Sequence, residues 1–260
     1  MQLQILGCSG GVSPGQGTTA FLVDNTLLVD AGTGVETLTY KEILQIETVV
    51  LTHSHLDHIS HLPFLLNNLI NSAHKTIQVY ALHHTVEALK KHIFNDVIWP
   101  DFTTLPAYDR PCVHLNIVKY GDVLSFGDKQ VVVLPAHHSV PTAGYWIGNE
   151  EAAFAFSGDC SQNDALWQAL NNLPPVDMLI MDNQYSSIDK GISELAKHYY
   201  PDALKLDLEK LNYQPSLFIS HLPVHHKETV MKEIRKVLSG WKPGILEAGK
   251  TYTVVTAKKQ

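Results

Sequence analysis

Along this chain, apolar and polar positions alternate, run together or recur at helical spacing, and the changes of rhythm mark its elements. Residues 2–7 alternate and predict a half-buried strand. Short apolar runs at 19–23 and 27–30 predict two more strands about the turn Asp24-Asn25-Thr26. The run 48–51 reads as a buried strand that gives way to polar residues at Thr52. Helical spacing follows at 62–70, with Pro63 in the first turn, where its missing N–H costs nothing. A strand at 76–80 and a helix at 85–94 come next. Residues 114–119, 122–126 and 130–134 form a strand series with turns at Tyr120-Gly121 and Gly127-Asp128. Strands at 144–147 and 152–157, a helix at 163–170 and an apolar strand at 176–181 ending at Asp182 follow. Residues 193–211 read as two helices divided near Pro201, 217–220 as a short strand, 230–238 as a helix and 251–255 as a closing strand. No linker, low-complexity stretch or charge run interrupts this order, so residues 1–260 are read as one domain.

Several of these strands end in residues that bind metals. The densest case is His53-Ser54-His55-Leu56-Asp57-His58, directly after the strand at 48–51. Neutral imidazole and carboxylate are ligands for zinc and for harder divalent ions. In extended backbone alternate residues share a face, so His53, His55 and Asp57 converge while His58 turns to the other side. One ion then takes the two histidines, and a second takes Asp57 and His58. Strands also end at His137-His138, at Asp159 and at His221, and the four endings together form a constellation. Asp30, at the end of its strand, either supports a histidine from behind or caps the following glycine turn. The loop Gly7-Cys8-Ser9-Gly10-Gly11 lacks the Gly-Lys-Ser/Thr of a phosphate-binding loop and reads as a tight turn beside a site. Residues 95–111 are rich in aromatics and turn formers. Such a segment serves as a wall over the site or as the contact of a homodimer, and Trp99 and Phe102 are its candidates for stacking a base.

Charge narrows the partners. Nineteen Lys and Arg against 26 Asp and Glu give a net charge of −7. This disfavours a nucleic-acid polymer, which is held by clustered cations. Lys90-Lys91 and Lys258-Lys259 are the closest approach to such clusters. A small anion stays compatible, because bound metal reverses the local field. Three cysteines, Cys8, Cys112 and Cys160, fit a reducing compartment better than a disulfide framework. The first residues lack a secretory pattern and no apolar run is long enough to span a bilayer, so the expectation is a cytoplasmic protein away from membranes.

The order His-x-His-x-Asp-His, a lone His, Ser-Gly-Asp and a late His resembles the metallo-β-lactamase-fold hydrolases over nearly the whole chain. The resemblance implies an α/β fold, an αββα sandwich of two mixed sheets flanked by helices. It also implies one metal held by His53, His55 and His138 and a second by Asp57, His58 and His221, with Asp159 bridging them. Gly7-Cys8-Ser9-Gly10-Gly11, Asp30-Ala31-Gly32-Thr33-Gly34, residues 51–59, Ile98-Trp99-Pro100-Asp101-Phe102 and His138-Ser139-Val140-Pro141 look like the bacterial 3′,5′-cyclic-nucleotide phosphodiesterases of that superfamily. His55-Leu56-Asp57-His58 is also similar to the class II phosphodiesterase signature. His61 stands where that signature carries Gly or Ser, and Cys160 where Thr follows the bridging Asp. The expected activity is hydrolysis of a small cyclic phosphodiester such as cAMP through a metal-bridging hydroxide, with two divalent ions, zinc first and manganese or iron as alternatives. Asp57 and Asp159 are the catalytic carboxylates, and His225 or His226 is the candidate proton donor to the leaving oxygen. The Ser-Val-Pro run selects His138 over His137 as the ligand. A lactonase or thioester hydrolase on the same site, or a metal-binding scaffold in cofactor biosynthesis, are the competing readings.

Overall fold

In a computed structural model that describes residues 1–70 and 75–256, the elements follow the apolar pattern closely. Lys258-Lys259 lies outside these residues. The first half forms β1 (Gln2–Gly7), β2 (Ala20–Val23), β3 (Leu27–Val29), α1 (Tyr40–Ile43), β4 (Thr48–Val50), α2 (Leu56–Ile59) and α3 (Leu62–Leu69). It continues with β5 (Ile77–Leu82), α4 (His83–His92), a small hairpin β6–β7 (Pro106–Ala107 and Arg110–Pro111) and β8 (Val113–Val118). The second half forms β9 (Val123–Phe126), β10 (Lys129–His137), β11 (Pro141–Gly148), β12 (Ala153–Phe156), α5 (Asp164–Asn172) and β13 (Met178–Asp182). Then come α6 (Lys190–Ala196), α7 (Pro201–Leu208), β14 (Ser216–Ser220), α8 (Lys227–Val237), β15 (Gly244–Ile245) and β16 (Thr251–Thr253).

The strands make two seven-stranded sheets, in the orders β16-β1-β2-β3-β4-β5-β8 and β15-β14-β13-β12-β11-β10-β9. Both are mixed: β3-β4-β5-β8 and β12-β13-β14-β15 pair parallel, and the remaining neighbours antiparallel. Leu3, Phe21, Val29 and Val50 of one sheet pack against Val131, Tyr145, Phe154 and Ile180 of the other. On the outer faces, Leu62, Leu65, Leu66, Val86 and Leu89 cover the first sheet, and Leu166, Trp167, Leu204, Leu208, Met231 and Ile234 cover the second. This is the expected αββα sandwich. Strands buried on both faces have no alternation to show, which is why 48–51 and 176–181 read as continuous apolar runs.

Parallel strands leave their carboxyl ends on a common edge, and open α/β sheets bind ligands there. Asp30 follows β3, the His/Asp motif follows β4, Asp159 follows β12, Asp182 ends β13 and His221 follows β14. Two contacts join the sheets at this edge: Tyr145 donates its hydroxyl to Leu51 O at 2.6 Å, and Ala143 N–H donates to Thr52 O at 2.9 Å.

The structure departs from the sequence reading at α2. Extended backbone ends at His55 (φ −66°, ψ 148°) and a helical turn begins at Leu56. His58 therefore does not turn away from Asp57; its Nε2 lies 3.5 Å from Asp57 Oδ2. In residues 95–111, Phe102 is 1% exposed and packs against Phe94, so its ring is core and unavailable to a ligand. Among the described residues no helix is long and apolar enough to cross a membrane.

Candidate functional site

All seven sequence-selected metal residues meet at the sheet edge. His53, His55, His138 and Asp159 form one group, and Asp57, His58, Asp159 and His221 another, each with one ligand atom per residue within 4.8 Å of the others. In the first, His138 Nε2 lies 3.2 Å from His55 Nδ1, and Asp159 Oδ2 lies 3.7 Å from His53 Nε2 and 3.8 Å from His138 Nε2. In the second, His221 Nε2 is 3.1 Å from Asp57 Oδ2 and 3.3 Å from Asp159 Oδ2, and His58 Nε2 is 3.3 Å from Asp159 Oδ1. Asp159 is the one residue common to both groups. It stands where β12 meets Gly158, whose φ of +63° turns the chain sharply into the edge.

The donor set fits divalent metal. His53 Nε2, His58 Nε2 and Asp159 Oδ1 are buried without a hydrogen-bond partner, an arrangement folded proteins rarely tolerate. Ligand atoms about 2.0–2.2 Å from a common ion sit roughly 3.3–3.6 Å from one another, and the nitrogen–oxygen separations of 3.1–3.8 Å here bracket that range. Residues behind the cluster fix the imidazoles. His58 Nδ1 donates to Asp30 Oδ2 at 2.7 Å, which leaves Nε2 for the site. Asp30 also accepts from Thr52 N at 2.7 Å and from the Thr52 hydroxyl at 2.8 Å. It therefore supports a ligand, and its carboxylate is spent on His58 and Thr52 and not on the glycine turn. His138 Nδ1 donates to Lys197 O at 3.0 Å and likewise turns Nε2 inward. Burial, with the neighbouring His58, holds His53 well below the usual histidine range. Burial also opposes charge on His58, but the Asp159 and Asp30 carboxylates on either side outweigh it and raise its proton affinity.

The neighbours His137 and His138 part company as strand alternation requires. His138 is 5% exposed inside the cluster. His137 is exposed, and its Nδ1 meets the Ser161 hydroxyl at 3.1 Å.

Sequence reasoning missed Asp182 and His198. His198 Nδ1 donates to Asp182 Oδ2 at 2.8 Å, and its ring stacks on His221 at 5.1 Å and meets His138 edge-on at 4.8 Å. Burial depresses His198, yet the Asp182 carboxylate overcomes it and raises its pKa to about 9. His225 and His226, the expected proton donors, are exposed at the start of α8 instead. The signal for Asp182 was its place at a strand end, shared with the other site residues. His198 carried none, because it lies between two helices and reaches the site only through their packing. Nearby, the buried Asp207 carboxylate accepts from Tyr199 OH, Trp167 Nε1 and Asn163 N, at 2.7, 3.0 and 3.0 Å. These bonds tie the loop after Asp159 to the residue beside His198.

The glycine turn at 7–11 is bound to the last ligand. His221 N–H donates to Cys8 O at 2.8 Å and Gly10 N–H donates to Leu222 O at 3.0 Å. These bonds hold His221 at φ +59°, a left-handed conformation costly to a residue with a side chain. A Cβ at Gly10 would lie 2.9 Å from His221 Nδ1 and 3.0 Å from its carbonyl oxygen. At Gly11 it would meet only Val224, at 3.3 Å. Gly10→Ala is therefore expected to displace the His221 ring and weaken the binding of a divalent metal by at least the roughly 10–100-fold typical of a lost supporting contact. Gly11→Ala should bind like the wild type. Zinc titration of both variants against a competing chelator makes the comparison, and equal affinities would exclude the close fit at Gly10.

With this geometry in hand, comparison with known proteins is decisive for the family. The sequence profile of the β-lactamase superfamily domain matches residues 25–231. The chain belongs to that superfamily. The metallo-β-lactamase fold protein YhfI of Bacillus subtilis superposes with a TM-score of 0.75 at 21% identity, covering 97% of this chain and 99% of that one. Unliganded yeast PDE1 gives 0.79 at 18% identity, covering 96% and 98%. At these identities the superpositions establish the shared fold. In sequence, a 3′,5′-cyclic-nucleotide phosphodiesterase of Schizosaccharomyces pombe is 34% identical over 186 residues, which are 70% of this chain and 49% of that protein. The chain spans about half or less of the length of the curated relatives it matches.

Proposed function

We propose that this β-lactamase-superfamily chain is a metal-dependent hydrolase of 3′,5′-cyclic nucleotides, with two divalent ions, zinc foremost, in the two His/Asp groups. The observation that carries it is the pair of donor groups joined through one buried carboxylate, Asp159. Ions in such a pair supply positive charge to phosphoryl oxygens and acidify water. The naming of curated relatives as cyclic-nucleotide phosphodiesterases favours this substrate class over acyl substrates. The fold alone does not choose between them.

Hydrolysis forms a bond from water oxygen to phosphorus, breaks the bond from phosphorus to the 3′-oxygen, and delivers a proton to that oxygen. The chain's own groups divide this work. Asp57, 31% exposed where the other cluster carboxylate is buried, is the carboxylate reachable from solvent and orients water. His198 has Nδ1 committed to Asp182, so Nε2 is the nitrogen that exchanges a proton with the leaving group. It takes the role for which His225 and His226 were the candidates in the sequence.

The test uses protein purified without chelator. Elemental analysis should approach two metal equivalents per chain. After reconstitution with zinc, manganese or iron, hydrolysis of 3′,5′-cAMP should exceed that of a lactone and a thioester assayed in parallel. No cyclic-nucleotide turnover above metal-only controls would reject the substrate, and a saturating stoichiometry of one would reject the dinuclear centre.

A further inference from the structure

An exposed aromatic row starts on α3, the helix that follows the short α2 carrying Asp57. Right-handed backbone runs from α2 through Ser60 (φ −56°, ψ −31°) and His61 (φ −98°, ψ −1°) into α3. His61 N–H leaves the helical ladder for Ala31 O at 2.8 Å, but the right-handed backbone carries the phase across this turn, so residues four and seven beyond Asp57, His61 and Phe64, fall near its side. The burial pattern agrees. Leu62, Leu65, Leu66 and Leu69 face the core, while Asp57, His61 and Phe64 lie on the opposite stripe. The His61 ring lies 5.5 Å from Phe64, and the Phe64 ring meets Trp99 edge-on at 5.0 Å and 66°. Phe64 remains 51% exposed although Trp99 braces one side of it. The result is a fixed, open aromatic face that begins one helical turn from a cluster carboxylate.

We infer that the His61–Phe64–Trp99 row is the nucleobase subsite of this centre. The inference rests on the cyclic-nucleotide reading above and names where the base goes. Seven residues of right-handed backbone, from Asp57 on α2 across the turn to Phe64 on α3, advance about 10 Å, the scale on which a base stands away from the phosphate of its own nucleotide. With phosphate at the Asp57–Asp159 end, the base lies on Phe64. Two other places serve less well. The Phe102 ring is buried. The cavity of about 490 Å³ beside α4 is lined by Ser54, Leu56 and Ile59 together with His84, Glu87, Lys91 and His92 of α4, and none of the seven cluster residues lines it. Stacking reads ring area and not hydrogen-bond pattern, so the subsite accepts adenine and guanine alike and holds pyrimidines less well.

The experiment compares metal-loaded wild type, Phe64→Ala and Phe64→Tyr. Phe64→Ala should raise the KM for 3′,5′-cAMP by roughly tenfold, the scale of one lost stacking contact. Inhibition by inorganic phosphate, which has no base, should keep its constant, and metal content should stay at the wild-type value. Phe64→Tyr, which keeps the ring, should restore the KM. An unchanged KM in Phe64→Ala, or weakening of cAMP and phosphate by the same factor, would overturn the subsite. A wild type that turns over no cyclic nucleotide at all rejects the proposed function instead, so the two failures are told apart by the wild-type assay alone.

Discussion

Asp159→Ala is expected to empty both metal groups and to bring phosphodiester turnover down to the level of free metal. Four imidazole nitrogens from three chain segments converge on this carboxylate: His53 at 3.7 Å, His58 at 3.3 Å, His138 at 3.8 Å and His221 at 3.3 Å. Asp159 is 2% exposed, so water cannot substitute for the lost oxygens without reorganising the edge. Alanine would remove the only residue shared by the two groups and leave buried nitrogens facing one another, a cost of about 1–3 kcal/mol for each unsatisfied group. The loss of metal affinity should exceed the roughly 10–100-fold of a supporting residue, because in the proposed dinuclear centre Asp159 would be a direct ligand to both ions. Asp159→Asn keeps the volume and removes the charge, and it should fail almost as completely. Metal content by elemental analysis, with circular dichroism to verify that the sheets persist, decides the matter. Two retained ions per chain in Asp159→Ala would remove the bridge from the mechanism.

The second large effect separates two adjacent residues. His138→Ala should lose bound metal and activity together, whereas His137→Ala should keep most of its metal. The difference lies in where each ring stands. His138 projects Nε2 into the cluster, 3.2 Å from His55, with Nδ1 held by Lys197 O at 3.0 Å. His137 stands on the opposite face of β10 with Ser161, outside both donor groups. Measuring metal content at equal free-metal concentration tests the pair. The reverse order would mean that the wrong histidine has been assigned.

Much of this site was legible from the chain because each of its parts ends a strand. A strand buried on both faces announces itself as an apolar run, and a polar metal-binding residue at its end is conspicuous. Thus Asp159 and His221 stood out, as did the group beginning at His53. The orientation of His58 did not, because the switch from extended to helical backbone at Leu56 follows no change in composition. Phe102 and Trp99 looked alike in sequence, but one fills the core and the other braces Phe64 at the surface. His198 had no local signal at all.

By itself the sequence determined most of the strand and helix order and placed metal-binding residue types at four strand ends, whereas the sandwich and the assignment of seven residues to two donor groups came through the resemblance to the metallo-β-lactamase-fold hydrolases. The order and the strand endings follow from short-range alternation and from residue chemistry, both written locally along the chain. Only the tertiary structure decided that Asp182 and His198 join the site, that Gly10 lies against His221, and that the helical phase carries from Asp57 on α2 across the turn to Phe64 on α3. Each of these depends on a distance between segments far apart in sequence or on the phase of a helical turn. Such distances are set by how two sheets and their covering helices pack, and packing leaves no mark on the spacing of residues within any one segment.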